Sequence, residues 1–242
     1  MKQSNNKTVA NPDLQKSLKR LAVITVVAIL VVDQISKVWV KTNMYLDESI
    51  PVFGDWFFIH FIENPGMAFG LEFGGVAGKL FLSIFRIVAI GFIAYYLRNL
   101  IRSKSNRGLI FSVSLVLAGA AGNMIDSAFY GLIFSESPRF TPELATMFPA
   151  DGGYAGFLRG KVVDMFYFPI IDGTWPSWVP FLGGDRFQFF RPVFNVADSA
   201  ISVGMVLILI NQKRFFKQTE TEDSGSESSE SGEKSEPHED SK

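Results

Sequence analysis

The 242-residue chain contains no cysteine and only two histidines, His60 and His238. The first absence excludes disulfides, thiolate metal sites and cysteine nucleophiles. The second makes a histidine-rich metal centre or a Ser-His-Asp triad a poor reading. Charge is scarce as well: 19% of residues are charged against 48% hydrophobic, and phenylalanine alone occupies 24 positions. Mean hydropathy is +0.20, high for a soluble protein with so polar a C-terminus. Residues 218–242 hold nine acidic and two basic side chains, so the net charge of −1 conceals a body of +6 and a tail of −7. A basic apolar body with an acidic tail argues against a soluble globular enzyme.

Four apolar runs are long enough for a bilayer, which needs about 20 helical residues. They lie near 21–40, 80–97, 109–129 and 193–210. The first is read as a retained helix, because no small-residue cleavage pattern follows it. Lys16, Lys19 and Arg20 precede it; Arg98, Arg102, Lys104 and Arg107 separate runs two and three; Lys213, Arg214 and Lys217 follow the fourth. Placing all three clusters on the cytoplasmic side puts both termini there. The expected fold is an all-α polytopic membrane protein. Four transmembrane helices carry a small outward-facing β-hairpin and loop region at the interface, with the hairpin expected within 52–62. Residues 1–20 form a cytoplasmic segment, 21–217 the membrane domain, and 218–242 a disordered acidic tail.

Ionisable groups inside a span cost several kcal/mol, so each needs a reason. Asp33 and Lys37 are spaced i,i+4 in run one; Asn123 with Asp126, and Asn195 with Asp198, are spaced i,i+3 in runs three and four. With the expected topology, all three pairs fall in the outer half of the bilayer. Asn64 and Asp164 belong to the outer segments. Gly119, Ala121, Gly122, Ala197, Ala200 and Gly204 allow close helix approach, which would bring the polar pairs together. Helix-to-helix bonding alone would account for some of these residues, Asp33–Lys37 above all. Convergence on one membrane face favours a site. Without cysteine, and with His60 read as a packed or interfacial residue, two carboxylates are the groups able to handle protons. A pair of aspartates sharing one proton can activate water against a peptide carbonyl. An ion transporter would spread its polar groups through the full membrane depth, whereas Arg86 is the only further Asp, Glu, Lys or Arg in a run. A non-catalytic scaffold, docking through the acidic tail, is the other alternative. Composition and spacing do not select the substrate.

The motifs do. In order come Asp33-Gln34-x-x-Lys37, Asn64-Pro65-Gly66-Met67-Ala68-Phe69-Gly70, Gly119-x-x-Gly122-Asn123-x-x-Asp126, Val163-Asp164-x-Phe166 and Phe194-Asn195-x-Ala197-Asp198-x-x-Ile201. Across roughly residues 21–214 the chain resembles lipoprotein signal peptidase (signal peptidase II), the aspartyl protease of the bacterial inner membrane. The resemblance implies an enzyme with no cofactor and no metal, acting on diacylglyceryl-modified prolipoproteins. It would cleave before the lipidated cysteine, toward the periplasmic face. Asp164 and Asp198 match the catalytic aspartates. Asp33, Lys37, Asn64, Gly66, Asn123, Asp126, Asn195 and Ala197 match residues that hold substrate, several of which globomycin contacts. Partners are then prolipoproteins, membrane lipids and globomycin-type inhibitors, with no nucleic acid, and the chain is expected to be monomeric. Two departures stand out. Ser127 occupies the position of a family arginine, for which Arg86 is the candidate replacement cation and Arg159 or Lys161 the alternatives. The stretch from Asp126 to Asp164 is also longer than expected, with a polar section at 135–160 that predicts an added outer loop.

Overall fold

The computed structural model describes residues 12–65, 75–169, 171–181, 183–189 and 192–227. The long helices are α1 (Pro12–Asn43), α2 (Gly75–Arg102), α3 (Arg107–Ile125) and α5 (Val196–Glu227). A π-helical turn, Asp126–Tyr130, and the short α4 (Gly131–Ile133) continue α3. Four segments, Asp13–Asn43, Gly78–Arg102, Arg107–Ile133 and Val196–Phe215, are long and apolar enough to cross a membrane. The expected runs are therefore the apolar cores of longer helices. α1 opens with Pro12, which is favoured in a first turn because it has no N–H to satisfy. Residues 12–20, expected as a separate segment, thus belong to α1, and 1–11 lie outside the described residues. α5 reaches Glu227, into the stretch read as a disordered tail; residues 228–242 lie outside the described residues.

The fourth span begins later than the hydropathy suggested. Val193 and Phe194 form a strand, and Asn195 accepts the backbone N–H of Asp198 at 2.9 Å, capping a helix that starts at Val196. Asp198 consequently sits in the first turn of α5, about one turn nearer the helix start than a helix beginning near Pro192 would put it.

α3 is the central helix. A Cβ placed on Gly119 would lie 2.2 Å from the Ala197 carbonyl oxygen, and one on Gly122 would lie 2.7 Å from Asp33 Oδ2. Both glycines are needed for backbone approach, the former to α5 and the latter to a side chain of α1. α2 is the least enclosed helix, presenting Phe81, Phe85, Phe92 and Tyr95 outward. Such a face suits hydrocarbon surroundings, where helix–helix packing depends on close contact rather than expulsion of water.

At one end of the bundle an antiparallel sheet runs in the order β1 (Ser49–Phe53), β2 (Phe57–Asn64), β3 (Val162–Tyr167) and β6 (Val193–Phe194). The β1–β2 hairpin lies where the apolar stretch 52–62 predicted one. A second hairpin, β4 (Ile171–Thr174) with β5 (Arg186–Phe189), stands apart and was not foreseen. β3 is buried on both faces. Val163 and Met165 pack with Phe61, Val40, Met44, Tyr130 and Phe134, while the alternation of a strand turns Asp164 to the other side.

Candidate active site

Lys37 is fully buried, and its ammonium has three acceptors: Asp33 Oδ2 at 2.9 Å, Asp126 Oδ2 at 2.8 Å and Asn123 Oδ1 at 2.9 Å. Three N–H groups thus meet three oxygens on two helices. Asp33 also accepts the Ala197 backbone N–H at 2.9 Å, placing a carboxylate at the N-terminus of α5. Asp126 further accepts from Gln34 Nε2 at 2.9 Å and from the Val163 backbone N–H at 3.4 Å. The Lys37 cluster therefore joins α1, α3, α5 and β3.

The two remaining aspartates approach from different elements. Asp164 projects from β3, where Asn195 Nδ2 donates to its Oδ1 at 2.7 Å and Asn64 Nδ2 to its Oδ2 at 3.3 Å. Asp198 accepts from Asn123 Nδ2 at 2.8 Å and from the Asn195 backbone N–H at 3.3 Å. With the reverse bond from Asp198 N–H to Asn195 Oδ1, Asn195-x-x-Asp198 forms a reciprocal cap of capping-box type. Asn195 Nδ2 also reaches Asn123 Oδ1 at 3.1 Å, so the two asparagines tie the aspartates together. Burial, reinforced by the Asp198 charge, pushes the Asp164 carboxyl up to about 7, while the Asn64 and Asn195 bonds and Lys37 restrain the rise. One carboxyl that keeps its proton near neutrality beside a second carboxyl is an acid–base pair in form. Among the described residues, no group of three His, Asp or Glu side chains is arranged to hold a metal.

A family model described as Signal peptidase (SPase) II matches residues 25–214. The chain belongs to this family. It is an aspartic endopeptidase. A lipoprotein signal peptidase of Porphyromonas gingivalis is 55% identical over 186 residues, covering 76% of this chain and 79% of that protein. One from Amoebophilus asiaticus is 38% identical over 192 residues, covering 78% and 76% respectively. A solved structure described as a bacterial membrane enzyme, obtained by the in meso method at 1.9 Å, superimposes with a TM-score of 0.52 at 25% identity. That likeness covers 79% of this chain and 91% of the other.

Of the residues singled out from the sequence, Asp33, Lys37, Asn64, Asn123, Asp126, Asp164, Asn195, Ala197 and Asp198 form one connected network. Gly66 lies outside the described residues. Arg86 is half-buried on α2, and its charge acts on Asp198. Of the alternative cations, Arg159 is exposed, and Lys161 turns away to Glu63 Oε2 at 2.9 Å. Ser127 is buried, and its hydroxyl bonds back to the Asn123 carbonyl at 3.1 Å. His60 belongs to the hairpin, 2.6 Å from the Ser49 hydroxyl, and not to the site.

The added outer loop is docked on the end of α3. Gly160 and Leu158 donate backbone N–H groups to the carbonyls of Ser127 and Ala128, at 2.8 and 3.3 Å. Those carbonyls belong to the π turn, whose wider winding releases them from the ordinary helical ladder. A second buried charge cluster, not anticipated from sequence, holds the same loop. Lys41 pairs with Glu63, and Ser137 bonds both, at 3.0 Å each. Burial opposes ionisation of Glu63, but Lys41 and Lys161 overcome it and hold the carboxyl below its ordinary value. The one available signal was Lys41 itself, one turn beyond Lys37 on the same helical face. Gln34 and Tyr130 were also missed as site members; the Tyr130 hydroxyl donates to Gln34 Oε1 at 3.2 Å.

Proposed function

We propose that the chain removes signal peptides from diacylglyceryl-modified prolipoproteins, cleaving on the N-terminal side of the lipidated cysteine. Asp164 and Asp198 are the catalytic pair. The observation that carries this reading is their bridging by Asn195 and Asn123, which fixes two carboxyl groups from separate elements in one acid–base system. Asp198 accepts a proton from water as the water oxygen attacks the scissile carbonyl carbon. Asp164 gives its proton to the carbonyl oxygen. The tetrahedral intermediate then collapses: one of its hydroxyls returns a proton to Asp164 as the carbonyl re-forms, the C–N bond breaks, and the leaving nitrogen takes the proton held by Asp198. The products are a signal peptide with a free carboxylate and a lipoprotein with a cysteine amine. Asp33, Lys37, Asn64, Gly66, Asn123, Asp126, Asn195 and Ala197 hold substrate or the groups that orient it, and globomycin-type inhibitors occupy the same place.

Depth supports the reading over an ion path. Beyond the site, residues 109–122 of α3 and 199–210 of α5 carry no ionisable side chain. A site at one membrane face suits a substrate whose acyl chains lie in the bilayer and whose peptide lies at its surface. We place the chain, as a monomer, in the bacterial inner membrane with both termini cytoplasmic and the aspartates toward the periplasmic face. The test is cleavage of a diacylated lipopeptide by purified protein. Asp164→Asn and Asp198→Asn should each lose at least about 10²–10⁴-fold in turnover, the contribution of a positioned acid or base, while retaining the thermal melt. Near-native turnover by either variant refutes the assignment.

A further inference from the structure

Far from the aspartates, α1 and α2 part to leave a groove of about 530 Å³, floored by Leu117 of α3. Its lining is graded. Lys19 of α1 and Arg98 and Arg102 of α2 stand at one end, while Val23 and Val27 of α1 and Ala94 of α2 continue the walls toward the membrane centre. The helices are antiparallel, so both walls run from cation to hydrocarbon in the same direction. Each graded wall is roughly 12 Å long by helical rise. No carboxylate is among the lining residues, and all three cations are exposed. Lys19 lies roughly 21 Å along α1 from Asp33, so the groove is separate from the proteolytic site.

We propose that this groove binds an anionic glycerophospholipid. Its phosphate would be held by Lys19, Arg98 and Arg102, and one acyl chain would lie along Val23, Val27 and Ala94. Charge complementarity selects the occupant. Three cations without a carboxylate, at the membrane-surface end of an apolar slot, match a phosphodiester joined to a hydrocarbon chain. A peptide helix would need polar partners for its own side chains, and the inner walls supply none. A soluble anion would leave the apolar part of the groove unfilled. The proposal is independent of the cleavage reaction.

Native mass spectrometry of the purified full chain tests it, using phosphatidylglycerol and phosphatidylcholine of identical acyl composition as competing probes. The wild-type chain should retain phosphatidylglycerol with at least about tenfold preference, since each nearby cation favours the anionic lipid by roughly fivefold. The Lys19→Gln/Arg98→Gln/Arg102→Gln variant should bring the preference close to parity. Val23→Trp, which fills the slot and leaves every cation in place, should also reduce retention; a loose surface attraction would not respond to it. Should the triple variant fail to fold, as read by gel filtration and circular dichroism, Arg98→Gln alone should lower the preference by roughly fivefold. Equal retention of the two lipids by the wild type, unchanged selectivity in the folded charge variants, or undiminished retention by Val23→Trp would overturn the proposal.

Discussion

Replacing Gly119 with alanine would test the helix spacing on which the catalytic pair depends. The new Cβ would stand 2.2 Å from the Ala197 carbonyl oxygen, and ordinary contact begins at 3.4 Å. The obstacle is backbone and cannot swing aside as a side chain end would. The first turn of α5 must retreat by about 1 Å, taking Asn195 and Asp198 with it, as expected of overpacking at a close contact. The expected destabilisation is about 1–3 kcal/mol. The expected loss in kcat/KM is nearer 100-fold, because a misplacement of about 1 Å at reacting groups carries a cost of that order. Gly204→Ala is the control. Its Cβ would meet the Ser112 carbonyl oxygen at 2.7 Å, but roughly 9 Å farther along α5 than Asp198. It should lower the melting temperature comparably and cost far less activity. The assay is continuous cleavage of a fluorogenic diacylated lipopeptide, with a thermal melt of the same preparation. If Gly119→Ala cleaves at the wild-type rate, or if both variants lose activity equally, the reasoning about helix spacing fails.

The Asp164 proton predicts the basic limb of the pH profile. Its carboxyl is raised from 3.8 to about 7, so its contribution to stability is whole below pH 3.8 and is lost as the pH climbs through 7. Cleavage should decline above about pH 7, and Asp198→Asn should lower the Asp164 titration in carboxyl ¹³C spectra, because the neighbouring charge is gone; an unmoved titration refutes the coupling. Lys41→Met leaves Glu63 buried with Lys161 as its remaining cation, and should destabilise the protein by about 3–5 kcal/mol. Glu63→Gln in the same chain should recover part of that loss in a thermal melt. Arg86→Gln removes a charge that acts on Asp198 and should reduce kcat/KM about fivefold to tenfold, the scale of about 1–1.4 kcal/mol, with Arg86→Lys retaining more; wild-type kinetics in Arg86→Gln would remove it from the site.

Four spans, their boundaries to within a few turns, and the collection of Asp33, Lys37, Asn123, Asp126, Asn195 and Asp198 at one end were legible in the sequence. Hydropathy and helical rise are local properties, and an ionisable residue in an apolar run is conspicuous because the bilayer makes it costly. The small residues of α3 likewise announced close packing, and Gly119 and Gly122 meet α5 and Asp33 as that pattern implied. Tertiary structure alone decided the rest. Asp164 reaches Asn195 because β3 pairs with β2 and β6 in a particular register, and such pairing joins residues about a hundred positions apart in β2–β3 and fewer than thirty apart in β3–β6, with no periodic trace in the segments. The start of α5 was misplaced because Val193 and Phe194 are as apolar as a helix core; only pairing with β3 makes them strand. Gln34, Tyr130 and the Lys41–Glu63 pair gave little warning, since a polar side chain becomes part of a site through its partners. Those partners come from other elements, and only the folded chain brings them within hydrogen-bonding distance.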